Sequence, residues 1–154
     1  ATESANRIKQ YWRPYHDQLK SELDRLRDNH GIAVLFEAHS IRSRVERFHP
    51  GTIPDMNIGT AYGNSADIAL ANIAETHLKE CGYSVATNQA FAGGYITRTY
   101  GDLALNIHAI QLEMTWRNYM DEQTGEFSPG RAEKLQAHLK NLFEKILDWG
   151  ASAA

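Results

Sequence analysis

The sequence predicts a three-layer αβα domain built on a mainly parallel, mixed sheet. Segments with helical apolar stripes alternate with short apolar runs, in the order helix, strand, helix, strand, strand, helix. Two of those runs end in polar clusters, as strands of an open α/β sheet do where they meet a ligand. With 154 residues, 42% of them apolar, the chain suffices for one cored domain and is short for two. We therefore expect residues 1–154 to form a single α/β domain.

The first helix is expected over residues 4–29. Ile8, Trp12, Tyr15, Leu19, Leu23 and Leu26 recur every three or four positions, which is one helical face. Pro14 inside this stripe either kinks the helix or opens a second one. Gly31 follows as a left-handed cap. Residues 32–36, Ile-Ala-Val-Leu-Phe, form an unalternating apolar run, as in a strand buried on both faces. Residues 40–63 show little periodicity and read as a long functional loop. Ser65 caps a second helix with the stripe Leu70, Ile73, Ala74, His77, Leu78 and Cys81, which Gly82 ends. A short strand follows at 83–87, then a Gly/Tyr-rich loop at 88–101 and a strand at 106–114. Ser128-Pro129 starts the last helix, whose stripe is Leu135, Leu139, Leu142, Ile146 and Trp149. The tail from Gly150 is expected to fray.

Charge and composition narrow the function classes. The formal net charge is −3, which argues against binding nucleic acid through phosphate neutralisation. The single cysteine, Cys81, excludes a disulfide framework within the chain and a Cys-rich zinc module. No apolar run approaches the roughly 20 residues that span a bilayer, and no signal peptide is visible. These features suit a soluble, cytoplasmic protein. The chain opens at Ala1 without Met, which points to processing, truncation or engineering.

Four clusters carry residues suited to chemistry. In Glu37-Ala38-His39-Ser40-Ile41-Arg42-Ser43, His39 emerges where a strand ends. A neutral imidazole there is a good zinc ligand, and Glu37, on the same side of an extended chain, can orient it. The plainer reading is a hydrogen-bonded structural His beside a surface Arg42. In Gln111-Leu112-Glu113-Met114, Glu113 stands near the end of a later strand. A half-buried carboxylate has a raised pKa and can take a proton from a bound water; the alternative is a Glu salt-bridged to Arg117. In Phe91–Arg98, two glycines permit close approach to a ligand and Arg98 can hold a carboxylate. That stretch also reads as a flexible hairpin with a solvated Arg. Pro54–Thr60 reads locally as a turn. The seven His residues form no self-sufficient metal motif. His16 and His138 are expected in core or surface positions, His77 in helix packing, His49 in the long loop, and His108 beside the last strand, where it can face the site.

Taken together and in order, Glu37–Ser43, Pro54–Thr60, Gly93–Arg98 and Ala109–Met114 resemble the N-formylglutamate amidohydrolase (deformylase) family. Tyr119–Glu122 and Pro14–His16 continue the resemblance, which covers nearly the whole chain. It implies a zinc-dependent hydrolase with a fold like that of the zinc carboxypeptidases, within the phosphorylase/hydrolase-like group. It further implies His39 as a zinc ligand, Glu113 as the general base, and Arg42, Asn57, Arg98 and Tyr95 as substrate-binding residues. The implied reaction is hydrolysis of N-formyl-L-glutamate to L-glutamate and formate, in histidine breakdown. The family usually has Asp where this chain has Glu37, beside the metal ligand. Its first zinc-binding segment would precede Ala1, so the chain is expected to be the C-terminal portion of a larger catalytic domain. Such a portion would leave a bare sheet edge, open to self-association or to pairing with the N-terminal segment. Two other readings remain: a related zinc amidase or carboxypeptidase-like hydrolase of another N-acyl amino acid, and a metal-free binding domain on the same fold.

Overall fold

The computed structural model describes residues 2–47 and 49–154. Helix α1 (Thr2–Arg7) passes through a π-helical turn (Ile8–Trp12) into α2 (Arg13–His30). Pro14 lies in the first turn of α2, directly after the π turn; its missing N–H is tolerated there. Gly31 ends α2 at φ +75°, and its N–H donates to Arg27 O at 2.7 Å. Then follow β1 (Ala33–Ile41), β2 (Met56–Gly59), α3 (Ile68–Glu80), β3 (Val85–Thr87), α4 (Tyr95–Tyr100), β4 (Ile107–Thr115) and α5 (Pro129–Ala153). None of the described helices is long and apolar enough to cross a membrane.

The four strands lie in the order β1-β4-β2-β3. β1 and β4 are parallel, β2 and β3 are parallel, and β2 runs antiparallel to β4. The sheet is thus mixed and mainly parallel, with helices on both faces. On one face α3 and α5 bury Met56, Ile58, Ile110 and Leu112 against Leu70, Leu78, Leu142 and Ile146. On the other, α2 packs Leu23 over Ala33 and Ile107, with Leu35 and Tyr100 of α4 beside them. Even and odd positions of the strands face opposite layers, as the pleat requires.

Several expectations are corrected. The stretch 40–63 is not one loop: β1 runs on to Ile41, and β2 occupies a central place in the sheet. Met56 and Ile58 face the core of α3 and α5, while Asn57 and Gly59 face the other side. A four-residue strand carries too few alternations to be seen without its partner. Residues 95–100 are helical rather than loop. β1 is an edge strand, and of its residues only Ala33 is fully buried; the apolar run does not mark a strand covered on both faces. In the opening helix, Leu23 is buried while Ile8, Trp12 and Tyr15 are exposed.

The second helix begins at Ile68, not after Ser65. Asp67 is its cap, accepting from Ala69 N at 2.7 Å, and Ser65 instead donates to Ala109 O at 2.8 Å. Ser128 makes no side-chain capping bond. The tail does not fray at Gly150: α5 reaches Ala153, whose carbonyl accepts from Asn106 Nδ2 at 3.3 Å.

Candidate active site

Alternation along β1 and β4 builds the site. On the α2/α4 face, the first halves of these strands present Ala33, Leu35, Ile107 and Ala109; the second halves present Glu37, His39, Gln111 and Glu113. The register sets Glu37 level with Gln111 and His39 level with Glu113. Asn57 stands across from Glu113 on its other side. An apolar floor therefore becomes polar toward the carboxyl ends of β1 and β4. There a cleft of about 620 Å³ opens, lined by Glu37, His39, Gln111, Glu113, Trp12, His16 and residues 90–96.

The close approach of residues 90–96 depends on a glycine. A Cβ at Gly59 would lie 2.6 Å from Gly93 N and 2.8 Å from Ala92 C. The loop crosses directly over β2, which only a residue without a side chain permits. Gly94 N then donates to Gln111 Oε1 at 2.7 Å, tying the loop to the sheet.

His39 Nε2 lies 3.0 Å from Glu37 Oε1. The other carboxylate oxygen of Glu37 accepts from Thr97 Oγ1 at 2.8 Å. Glu37 is thereby held between α4 and His39, and His39 Nδ1 has no hydrogen-bond partner among the described residues. Burial pushes the Glu113 carboxyl above the usual range; His39 partly offsets this and Glu37 adds to it. Arg117 does not pair with Glu113, since its Nε donates to Asp55 Oδ1 at 2.7 Å.

The remaining candidates are placed differently. Tyr95 lines the cleft. Asn57 is 1% exposed, and its Nδ2 donates to Pro54 O at 2.9 Å and Glu113 O at 3.3 Å. Its Oδ1 is buried without a partner among the described residues. Arg42 and Arg98 are not among the lining residues. The Arg42 guanidinium lies 5.3 Å from the Trp116 ring centroid, and Arg98 donates to the carbonyl of Gly93, a lining residue. His108 does not face the cleft: it lies on the α5 side, edge-on to Trp149, with Nδ1 accepting from Asp67 N at 3.1 Å.

The N-formylglutamate amidohydrolase family model matches residues 1–120. This chain belongs to that family. It is 45% identical over 146 residues to an N-formylglutamate deformylase of Pseudomonas putida, covering 94% of this chain and 55% of that protein. A Pseudomonas aeruginosa N-formylglutamate deformylase is 41% identical over 152 residues, covering 97% and 57%. The crystal structure of N-formylglutamate amidohydrolase from Ralstonia eutropha superposes with a TM-score of 0.87 at 26% identity, covering 99% of this chain and 56% of that one. The chain thus spans a little over half the length of the relatives it matches.

In a member of this family, a catalytic zinc would need about three protein donors. No group of three His, Cys, Asp or Glu among the described residues is placed to hold a metal. The described cleft therefore does not fit a complete zinc site; it offers His39, with Glu37 at its other nitrogen. The residues that sequence reasoning missed are His16, Trp12, Thr97 and Gln111. Trp12 and His16 are four apart on a helix, so they share a face, but periodicity does not say what that face meets. Thr97 and Gln111 gain their roles only when α4 crosses β4.

Proposed function

We propose that this chain contributes the Glu113 side of an amide-hydrolysing cleft that removes the formyl group from N-formyl-L-glutamate, releasing L-glutamate and formate. The observation that carries this reading is the row of His39 and Glu113, level in register at the polar end of the sheet, beside a cleft sized for a small amino-acid derivative. The relatives' names point to the same substrate.

Glu113 is the general base. Its buried carboxylate takes a proton from the attacking water, whose oxygen bonds to the formyl carbon. When the C–N bond breaks, Glu113 passes that proton to the departing amine, so that one water is consumed. Glu37 fixes the His39 ring, and Tyr95 contacts the substrate. Arg98, bonded to the lining residue Gly93, and Arg42, beside Trp116, would reach substrate carboxylates from the side of the cleft. Asn57 would act through Glu113, whose carbonyl it holds.

We take zinc as the metal that His39 would help to hold, with its other ligands outside the described residues. This chain would then be one portion of a larger catalytic domain, acting in the cytoplasm in histidine breakdown. Its activity alone would be weak or nil.

The test is formate release from N-formyl-L-glutamate with zinc supplied, alongside binding of that compound followed by NMR. We expect binding at the cleft, and little turnover, which His39→Ala and Glu113→Gln abolish. Absence of binding, or turnover indifferent to both substitutions, overturns the reading.

A further inference from the structure

We propose that the Gln111 side-chain amide selects an acidic side chain in this cleft, its Nε2 donating to the side-chain carboxylate of the bound N-formyl amino acid while the Gly93–Gly94 peptide relays the charge of Arg98 to it. The inference rests on the deformylase reading and deepens it by naming the group that recognises the glutamyl end.

Gln111 is 5% exposed and lines the cleft. Its amide is oriented by the loop above it: Gly94 N donates to Oε1 at 2.7 Å. A backbone N–H can only donate, so the atom facing it is the oxygen, and the NH2 group lies on the other side of the amide. Thr97 Oγ1, which donates to Glu37 at 2.8 Å, lies 3.5 Å from the same oxygen. Nε2 has no hydrogen-bond partner among the described residues. The one sealed side-chain polar atom without a partner among them is Asn57 Oδ1. The Gln111 Nε2 is therefore not sealed in, and the space it meets is the cleft. A buried side chain thus presents a fixed, unused pair of N–H donors there.

Three donors then line up in one direction. Arg98 donates to the Gly93 carbonyl. The N–H of that same peptide unit belongs to Gly94 and donates to Gln111 Oε1. The Gln111 amide in turn offers its own N–H groups. Each hydrogen bond in such a chain polarises the next, so the guanidinium charge strengthens the last donor. The cleft is acidic at Glu37 and Glu113, and a neutral amide alone would hold an anion poorly among them. A donor backed by Arg98 suits an anion better, and a hydrogen bond to a charged group is worth more than one between neutral groups.

Spacing chooses between the two carboxylates of the substrate. Gln111 and Glu113 share a face of β4, two residues and roughly 7 Å apart along the strand. With the formyl carbon beside Glu113, the α-carboxylate is three bonds away and the side-chain carboxylate five. Only the longer, extended arm spans one repeat of the strand.

The experiment titrates the full chain with N-formyl-L-glutamate, N-formyl-L-glutamine and glutarate, reading the side-chain NH2 signals of Gln111 by NMR and the affinities by calorimetry. We expect N-formyl-L-glutamate and glutarate to move those signals. N-formyl-L-glutamine, neutral at the same end, should bind about tenfold or more weakly than N-formyl-L-glutamate. Gln111→Glu keeps the shape and the acceptor for Gly94 N but replaces the donor by an anion, and should cancel or reverse that preference. Arg98→Met removes the charge at the exposed end of the relay, should weaken glutarate by a smaller factor, and serves if Gln111→Glu fails to fold. Binding that leaves the Gln111 signals unmoved, a preference unchanged in Gln111→Glu, glutarate affinity indifferent to Arg98→Met, or no binding of any compound overturns the proposal. If N-formyl-L-glutamate binds with Gln111 unmoved, the deformylase reading stands and this inference falls. If glutarate moves Gln111 while N-formyl-L-glutamate does not bind, the role of Gln111 stands and the deformylase reading falls.

Discussion

Glu37 joins two elements that are 60 residues apart: one oxygen lies 3.0 Å from His39 Nε2, and the other accepts from Thr97 Oγ1 at 2.8 Å. The carboxylate is thus oriented from α4, which packs directly against β1 here. Replacing Thr97, which is 0% exposed, by Val keeps the shape and removes the donor. We expect a loss of about 1–2 kcal/mol in chemical unfolding. The His39 ring signals should also broaden or shift, since the group that holds the ring has lost its anchor. An unchanged His39 spectrum would mean that Glu37 needs no help from α4.

Glu113 opposes folding when it is ionised. Burial raises its pKa, so the unfolded chain releases the proton at lower pH than the folded one. Stability from this group therefore falls as pH rises past the unfolded value, and the penalty is complete above the folded value. Glu113→Gln should lower any formate release by about 10²- to 10⁴-fold, yet unfold at the same or a higher temperature near neutral pH. A variant that is both inactive and strongly destabilised at pH 7 would contradict this.

Asp55 behaves oppositely. Burial alone would raise its pKa, but hydrogen bonds from Ser84 Oγ and N and from the Arg117 guanidinium outweigh it, and the carboxyl lies below its usual range. Its stabilisation is present above the unfolded pKa and lost as pH falls through the folded one. Asp55→Asn should cost about 1–3 kcal/mol at pH 7 and flatten the acid limb of a stability-against-pH curve. An acid limb like that of the unsubstituted chain would place the sensitivity elsewhere.

Gly59→Ala tests the closeness of the cleft loop. The added methyl would meet the backbone of Ala92 and Gly93 at under 3 Å, and backbone cannot rotate away as a side chain can. We expect about 1–3 kcal/mol of destabilisation and displaced amide signals over residues 91–95. Gly130→Ala, with nothing within 4 Å of its added carbon, is the control and should be nearly neutral.

How much of this was legible depended on the length of each signal. The stripe of α5 and the Gly31 cap of α2 are present in periodicity and composition, because a helix repeats its pattern over several turns. β2 and α4 were hidden because neither is long enough to repeat anything. His39, Glu37 and Glu113 could be singled out as polar residues closing apolar runs. By sequence His16 cannot be distinguished from a packing histidine, and His108 can face either side. One position in a strand separates the two faces, and His108 falls on the α5 side.

The sequence by itself determined the layered α/β class, the helices with long stripes, the polar ends of β1 and β4, and the family. Its ordered motifs carry that last point. Tertiary structure alone decided which strands adjoin, that His39 and Glu113 stand level, and that α2 brings Trp12 and His16 to the cleft. It also decided that Arg98 is tied to Gly93 and that Arg42 lies over Trp116. The reason is physical: periodicity records which side of an element is apolar, whereas register and helix docking arise from contacts between segments distant in the chain, and no local pattern encodes the partner.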